Sequence, residues 1–150
     1  MKKKLVTFLA LSCILMFAVM GCTAKTSMAF TFNVDNGDKV EIKLDTTDGY
    51  SITSDLPFAI SLKDEVQSQG TFIQGSYYEA YASVAKTDAD AKIIKEGEIN
   101  GNKYAFWSYK NSEYNAVIQI KNSNTAVLIG NNVSQESAEK ILSRLTITKK

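Results

Sequence analysis

Two segments near the start of the chain alternate between apolar and polar residues. The apolar positions are Met28, Phe30, Phe32 and Val34 in the first segment, and Val40, Ile42 and Leu44 in the second. A period of two predicts β-strands with one buried face. The residues between them, with the sequence DNGD, are typical of a hairpin turn.

The register of this hairpin follows from its apolar faces. A two-residue loop at Asn36 and Gly37 would set the two apolar sets on opposite faces. A three-residue loop, residues 35–37, pairs Phe32 with Val40 and brings every apolar residue onto one face. We therefore predict a type I turn with Gly37 in the left-handed conformation, forming a bulge.

Further strands follow along the chain. Alternating or apolar runs predict strands at 50–52, 58–62, 71–73, 92–99, 104–110, 114–121 and 126–130. The strand at 126–130 is apolar on both faces, which predicts a central place in a sheet. Asn100 and Gly101 predict a two-residue turn that sets Glu98 beside Lys103.

Two segments have helical spacing. In the first, residues 76–90, the spaced apolar residues are Tyr77, Tyr81, Val84 and Ala85; in the second, after Ser134, they are Ala138, Ile141, Leu142 and Leu145. Ser134 is the predicted N-cap of the second helix, with Glu136 near its positive end. The order of elements predicts an α+β fold, an antiparallel β-sheet with two helices packed on it.

This layout is similar to the Mog1/PsbP-like group, small sandwiches whose late hairpins end in a C-terminal helix. The likeness is carried by the turn at Asn100 and Gly101 leading into 104–106, and by the final segment 134–147. It covers the latter half of the chain and includes no catalytic motif. By analogy alone, the resemblance implies a binding or accessory role.

The N-terminus has the pattern of an export signal. Residues 2–4 are lysines, residues 5–20 carry no charge, and the segment closes with Val19, Met20, Gly21 and Cys22. A positive start, an apolar stretch and a small residue at the cut are typical of a secretory signal. A helix over 16 residues spans about 24 Å, short of the roughly 30 Å hydrocarbon core.

Those four closing residues resemble the lipobox of bacterial lipoproteins. The resemblance implies diacylglycerol on the Cys22 sulfur, cleavage after Gly21, and a position on the extracytoplasmic face of the cell membrane. Two acyl chains would hold the protein there stably. The alternative is an uncleaved signal-anchor with an incidental cysteine. We expect a signal peptide at 1–21, a lipidated tether at 22–27 and a single α+β domain at 28–150.

Composition excludes several chemistries. Cys13 leaves with the signal, Cys22 carries lipid, and the chain has no histidine. Cys/His zinc sites, Ser-His-Asp triads and Cys-His pairs are therefore excluded. Loss of the three signal lysines from the 17 basic residues leaves 14 against 16 acidic ones, a formal net charge of −2. With no basic patch, we expect no nucleic-acid partner, and we predict no cofactor or metal.

Aromatic residues supply the candidate binding site. The set comprises Tyr77, Tyr78, Tyr81, Tyr104, Phe106, Trp107, Tyr109 and Tyr114. Exposed together, Tyr78, Tyr104 and Trp107 could stack on a sugar ring or clamp a peptide; the alternative is that they fill the core. A two-residue loop at 112–113 would bury Trp107, whereas a three-residue loop at 111–113 would bury Phe106 and free Trp107.

Acidic residues cluster in sequence at Asp88, Asp90, Glu96 and Glu98. Oxygen ligands suit calcium, but the spacing matches no EF-hand loop, and we expect these side chains to be solvated. We predict a lipid-anchored extracytoplasmic binding or protein-interaction module, not an enzyme, whose partner is an envelope protein, a cell-wall fragment or a small solute. The alternatives are a carboxylate-dependent hydrolase of an envelope polymer and a purely structural envelope lipoprotein.

Overall fold

A computed structural model describes residues 26–150. Its helices and strands are β1 Ser27–Asn33, β2 Lys39–Asp45, β3 Tyr50–Ile52, β4 Phe58–Leu62, β5 Glu65–Gln74, α1 Tyr78–Thr87, β6 Ala91–Ile99, β7 Asn102–Tyr109, β8 Glu113–Gln119, β9 Thr125–Asn131, α2 Gln135–Arg144 and β10 Leu145–Lys149. Antiparallel strands with two packed helices confirm the predicted α+β class. The predicted signal peptide and Cys22 lie outside the described residues.

The strands form two antiparallel sheets that pack face to face. The small sheet has the order β1-β2-β10, and the large sheet has the order β3-β4-β5-β9-β8-β7-β6. The small sheet and α2 cover one face of the large sheet, which we call the inner face. Helix α1 covers the opposite, outer face, where a separate apolar cluster forms. The large sheet is therefore buried on both faces along its middle strands.

The first hairpin has the predicted register. Phe32 pairs with Val40, and Met28 pairs with Leu44. The Gly37 N–H donates to the Val34 carbonyl at 2.8 Å, and Gly37 has a φ of +88°. The three-residue loop and the left-handed glycine are confirmed.

Two predictions for the large sheet are also confirmed. Strand β9 is fourth of the seven strands, the central place that its apolar faces predicted. Asn100 and Gly101 form a two-residue turn with φ values of +52° and +80°, and Glu98 pairs with Lys103. The left-handed conformation at both turn residues is the one that suits a tight hairpin.

The sequence patterns predicted β5 too short and did not predict β10. Strand β5 begins at Glu65, because Lys63 and Asp64 both take positive φ and close a two-residue turn without glycine. Strand β10 begins at Leu145, which was predicted to continue the helical stripe. Leu145 is buried as expected, but it pairs with Leu44 in the small sheet.

Helix α2 begins as predicted. The Ser134 Oγ accepts a hydrogen bond from the Ser137 N–H at 3.1 Å, which caps the helix. Its inward stripe of Ala138, Ile141 and Leu142 is buried in the inner core. These contacts hold α2 against the inner face of the large sheet beside the small sheet.

A polar cluster around Asp38 joins the two sheets at one end. The Asp38 carboxylate pairs with Lys149 Nζ at 2.7 Å and accepts hydrogen bonds from the hydroxyls of Ser123 and Thr125. The Asn124 N–H donates to the same carboxylate at 3.2 Å. The hydrogen bond from Lys149, followed by that from Ser123, holds the pKa of the Asp38 carboxyl well below its usual range.

Candidate interaction surface

Helix α1 is positioned by a close approach at Gly75, just before the helix. The Gly75 N–H donates to the Asn124 carbonyl at 2.6 Å. A Cβ at Gly75 would lie 2.8 Å from Gln119 Nε2 and 3.0 Å from the Asn124 carbonyl carbon. The absence of a side chain lets the chain pass from β5 against the turn between β8 and β9. From there α1 runs over the outer face.

One stripe of α1 packs on the sheet. Its members are Tyr78, Ala82 and Ala85, and they contact an outer-face cluster made by Ala105, Trp107, Val117 and Ala126. The two small helix residues allow the helix backbone to approach closely, and Trp107 supplies bulk from the sheet side. Burial raises the pKa of Tyr78, as expected for a phenol held among apolar groups.

A second apolar stripe, made by the N-cap residue Tyr77 and two residues of the same helix, is exposed. Tyr77, Tyr81 and Val84 have relative exposures of 53%, 36% and 56%. They recur at i, i+4 and i+7, and successive residues advance by about 100°, so they fall on one flank of the helix. We call these three residues the tyrosine stripe. Of the four residues with the predicted helical spacing, only Ala85 is buried.

The opposite flank of α1 is held by ion pairs. Lys86 Nζ lies 2.8 Å from a Glu96 carboxylate oxygen on β6, and Lys103 Nζ on β7 lies 3.4 Å from Glu79. The hydrogen bond to Glu96 raises the pKa of Lys86. Lys103 also lies 5.6 Å from the centroid of the Tyr78 ring. These pairs place the charged flank over β6 and β7.

The tyrosine stripe therefore faces the other half of the sheet. Helical geometry puts it about half a turn from the charged flank, on the side of β9 and β5. On that side, Ile73 and Leu128 are half-buried against the outer cluster. Their cross-strand partners, Ala126 and Thr71, show that both lie on the outer face. The exposed apolar surface thus borders a part of the sheet that α1 leaves partly open.

The three predicted binding residues do not share this surface. Tyr78, Tyr104 and Trp107 are only 8%, 6% and 7% exposed. Tyr104 belongs to the inner core, whereas Tyr78 and Trp107 belong to the outer cluster. These aromatics fill the core, which is the second of the two alternatives, and no open groove joins the three. The reason is that the large sheet is covered on both faces.

The loop between β7 and β8 differs from both predicted loops. It comprises residues 110–112, and its ends pair Tyr109 with Glu113. Lys110 and Asn111 take positive φ. Trp107 consequently lies opposite Asn115, and Trp107 and Phe106 are both buried, on opposite faces. The loop predictions assumed one buried face, which does not hold for this strand.

A small pocket is lined in part by Tyr104, one of the three predicted binding residues. Tyr104 and Phe106 form part of its wall, and Leu142 from α2, Lys95 and Glu139 also line it. Its volume is about 290 Å³, just below the roughly 300–1,000 Å³ of small-molecule sites. The pocket would take at most a small ligand.

Two of the four acidic residues singled out in the sequence have local partners for their carboxylates. An Asp88 carboxylate oxygen accepts the Asp90 N–H at 2.8 Å, and Glu96 pairs with Lys86. Within residues 26–150, no three Asp, Glu, Cys or His side chains come together to hold a metal ion. Five pockets on the described surface are each lined by at most one carboxylate.

No family model, curated protein or solved structure matches this chain. The resemblances to bacterial lipoproteins and to the Mog1/PsbP-like group therefore remain predictions from sequence. None of the helices in the described range has the length and apolar character needed to span a bilayer.

Proposed function

We propose that this protein is a lipid-anchored extracytoplasmic protein-interaction module, held at the membrane through Cys22, that binds another envelope protein through the tyrosine stripe. The observation that carries the proposal is the exposure of Tyr77, Tyr81 and Val84 on a helix whose other apolar stripe already packs on the sheet. The fold does not use this second stripe, so its apolar character calls for another contact.

The shape of the stripe favours a protein partner. Residues at i, i+4 and i+7 on a helix are the anchors used when a helix face enters a groove of another protein. Tyrosine is enriched at such interfaces because it offers a large apolar ring with a polar tip. A small solute would instead need a concave site, whereas the stripe lies along the exposed flank of a helix.

The proposed anchor limits where the partner lies. Four residue steps separate Cys22 from Thr26, the first described residue. Fully extended, they span at most about 14 Å. A domain on so short a tether stays close to the membrane surface. The proposed partner is therefore an envelope protein with a membrane-proximal groove.

The hydrolase alternative has less support. Glycoside hydrolysis needs two carboxyl groups flanking the scissile bond, about 5–9.5 Å apart. The described pockets hold one carboxylate at most, such as Glu139 in the pocket beside Tyr104. A site for paired acids therefore has no candidate among these pockets. This comparison favours binding over catalysis.

Affinity capture from crosslinked membranes tests the proposal. A variant with Tyr77→Ser, Tyr81→Ser and Val84→Ser removes the apolar stripe without touching the buried one. We expect the wild-type protein to capture a specific envelope protein, and the triple variant to lose that protein while keeping its melting temperature. Loss is expected because interface affinity concentrates in a few large, buried side chains.

The matched control lies on the polar side of the same helix. Ala80 and Ser83 are exposed and lie outside both stripes. A variant with Ala80→Ser and Ser83→Ala therefore changes exposed side chains of the same helix without changing the tyrosine stripe. It should capture the same protein as the wild type. Equal capture by the stripe variant and the control, or capture of no specific protein by the wild type, would contradict the proposed function.

A further inference from the structure

Strand β1 is an open edge of the small sheet, because only β2 pairs with it among the described strands. The Thr26 carbonyl accepts the Thr46 N–H, and the Val34 N–H donates to the Asp38 carbonyl. In an antiparallel ladder, bonding positions alternate, so even-numbered residues of β1 bond to β2. The N–H and C=O groups of the odd-numbered residues point away from β2. These residues are Ser27, Ala29, Thr31 and Asn33.

The other three sheet edges are protected. Strand β3 has only three residues. Strand β6 carries charges and has an irregular register between Ile93 and Lys95. On β10, the carbonyls of Leu145 and Ile147 accept hydrogen bonds from side-chain amides that belong to Asn100 and Asn102. Shortness, charge, bulges and covering groups are the devices that prevent strand addition at an edge.

Strand β1 has none of these devices in its described part. Its seven residues, SMAFTFN, include no charge, no proline and no glycine. Met28 is 40% exposed, and Phe30 is half-buried. No hydrogen bond from another described residue reaches the outward groups of this strand. The edge is therefore ready to accept an added strand.

We propose that β1 pairs antiparallel with β1 of a second copy of this chain, about a two-fold axis through Phe30. In that register, Ala29 lies opposite Thr31 of the second copy, and Ser27 lies opposite Asn33. The two small sheets then form one continuous sheet. The pairing uses only residues 27–33 and is independent of the tyrosine stripe.

The sequence of β1 is complementary to itself in this register. Odd-numbered residues meet odd-numbered residues, so every outward N–H and C=O group of the four finds a partner. Phe30 faces Phe30 of the second copy, and Met28 faces Phe32, so apolar side chains meet across the strands. Because β1 carries no charge, no like charges meet. A self-complementary edge of this kind is what a two-fold interface requires.

The proposed membrane anchor is compatible with this pair. Thr26 lies four residues from the axis, about 14 Å along the strand. With the axis normal to the membrane, both tethers leave the pair at the same height. A single strand edge is smaller than the roughly 1,200 Å² of a standard interface. Anchoring two copies on one surface therefore favours pairing by raising their local concentration.

Disulfide crosslinking of the full-length protein in membranes tests the pair. Two differently tagged copies carry Ala29→Cys and Thr31→Cys, both exposed positions on the solvent face of β1. Opposed residues of a hydrogen-bonded pair have Cα atoms about 5.5 Å apart, within disulfide range. Oxidation should join the two tags. Copies with Ala29→Cys and Thr146→Cys, and copies with no added cysteine, should remain separate.

Proline on the outward side supplies the blocking variant. Thr31→Pro, added to the Ala29→Cys copy, removes an N–H that points away from β2, so β1 should still pair with β2. We expect the melting temperature to be kept and crosslinking to fall to the level of the Thr146 control. Asn33→Pro, nearer the strand end, should act alike if Thr31→Pro impairs folding.

Three results would overturn the proposal. The first is no joined product from the cysteine pair, and the second is a disulfide of either cysteine copy with a different protein instead. The third is a disulfide between the two tagged copies that still forms in proline variants that fold. Because the stripe residues are unchanged in all of these copies, none of these results bears on the proposed function.

Discussion

The turn of the first hairpin requires a left-handed backbone conformation at Gly37. Its φ is +88°, a conformation that penalises a Cβ, although a Cβ there would meet no atom within 4 Å. We expect Gly37→Val to lower the free energy of unfolding by about 1 kcal/mol or more, through backbone strain alone. Chemical denaturation measures this change. Gly37→Asn, which tolerates the left-handed region, should cost less; equal costs would contradict the turn geometry.

Asp38 predicts how stability depends on pH. Its carboxyl has a lower pKa in the folded protein than in the unfolded chain, because Lys149 and the Ser123 hydroxyl stabilise the charged form. Its stabilising effect is therefore complete above the unfolded pKa and is lost as the pH falls toward the folded one. Between about pH 5 and pH 2, the wild type should lose unfolding free energy more steeply than Asp38→Asn.

Urea unfolding at a series of pH values checks the Asp38 prediction. At neutral pH, Asp38→Asn should be less stable than the wild type, and the difference should narrow as the pH falls. Asp35→Asn, in the same turn but outside the cluster, serves as the control and should follow the wild type. Parallel pH profiles for the wild type and Asp38→Asn would contradict the role assigned to the cluster.

At this scale, local residues were predictable and distant partners were not. Gly37 followed from the register that its flanking apolar residues impose. The partners of Asp38 lie 85 or more residues away, and nothing in the local sequence pairs an aspartate in one turn with a serine in another. The left-handed Lys63 and Lys110 were missed because lysine gives no local signal for that conformation.

Substitutions in the buried and the exposed stripe of α1 should differ in their effect on stability. Ala85 is 1% exposed and Val84 is 56% exposed. Ala85→Leu should therefore overpack the contact with the outer face and lower the unfolding free energy by about 1–3 kcal/mol. Val84→Leu, at the neighbouring position, should change stability by less than about 0.5 kcal/mol. Thermal or chemical unfolding measures both changes. Similar losses of unfolding free energy at the two positions would contradict the burial of Ala85 and the exposure of Val84.

The helix itself was predictable, but the face that it buries was not. The spacing of Tyr77, Tyr81 and Val84 is helical, and so is the spacing of Tyr78, Ala82 and Ala85. Sequence periodicity cannot choose between two apolar stripes, because the choice depends on the shape of the sheet beneath. The buried stripe packs Tyr78 and two alanines in one cluster with Trp107 of the sheet. The unused stripe became visible only in the structure.

For the whole molecule, the α+β class followed from the sequence, but the number of layers did not. The central place of β9 was signalled by apolar residues on both faces. Strand β7 has the same signal, because the adjacent Phe106 and Trp107 are both buried, but the predicted loops allow only one of its faces to be buried. Burial of both faces requires a cover on each side, and only the packing of α1 and the small sheet reveals it.

Metabolic labelling tests the proposed anchor, which concerns the whole molecule. A fatty-acid analogue should label the wild-type protein and should not label Cys22→Ser, because the thiol is the proposed attachment point. Cys13→Ser, in the same segment, is the matched control and should label like the wild type. Labelling of Cys22→Ser at the wild-type level would contradict lipidation at this residue.

Site-specific photo-crosslinking in intact cells tests whether the tyrosine stripe contacts an envelope protein. A photoreactive amino acid replaces Tyr81 on the tyrosine stripe in one strain and Ser83 on the polar side of α1 in another. We expect position 81 to yield a discrete adduct with one membrane-proximal envelope protein and position 83 to yield none. Discrete adducts of equal yield at both positions, or none at position 81 in the folded, membrane-bound protein, would contradict this contact.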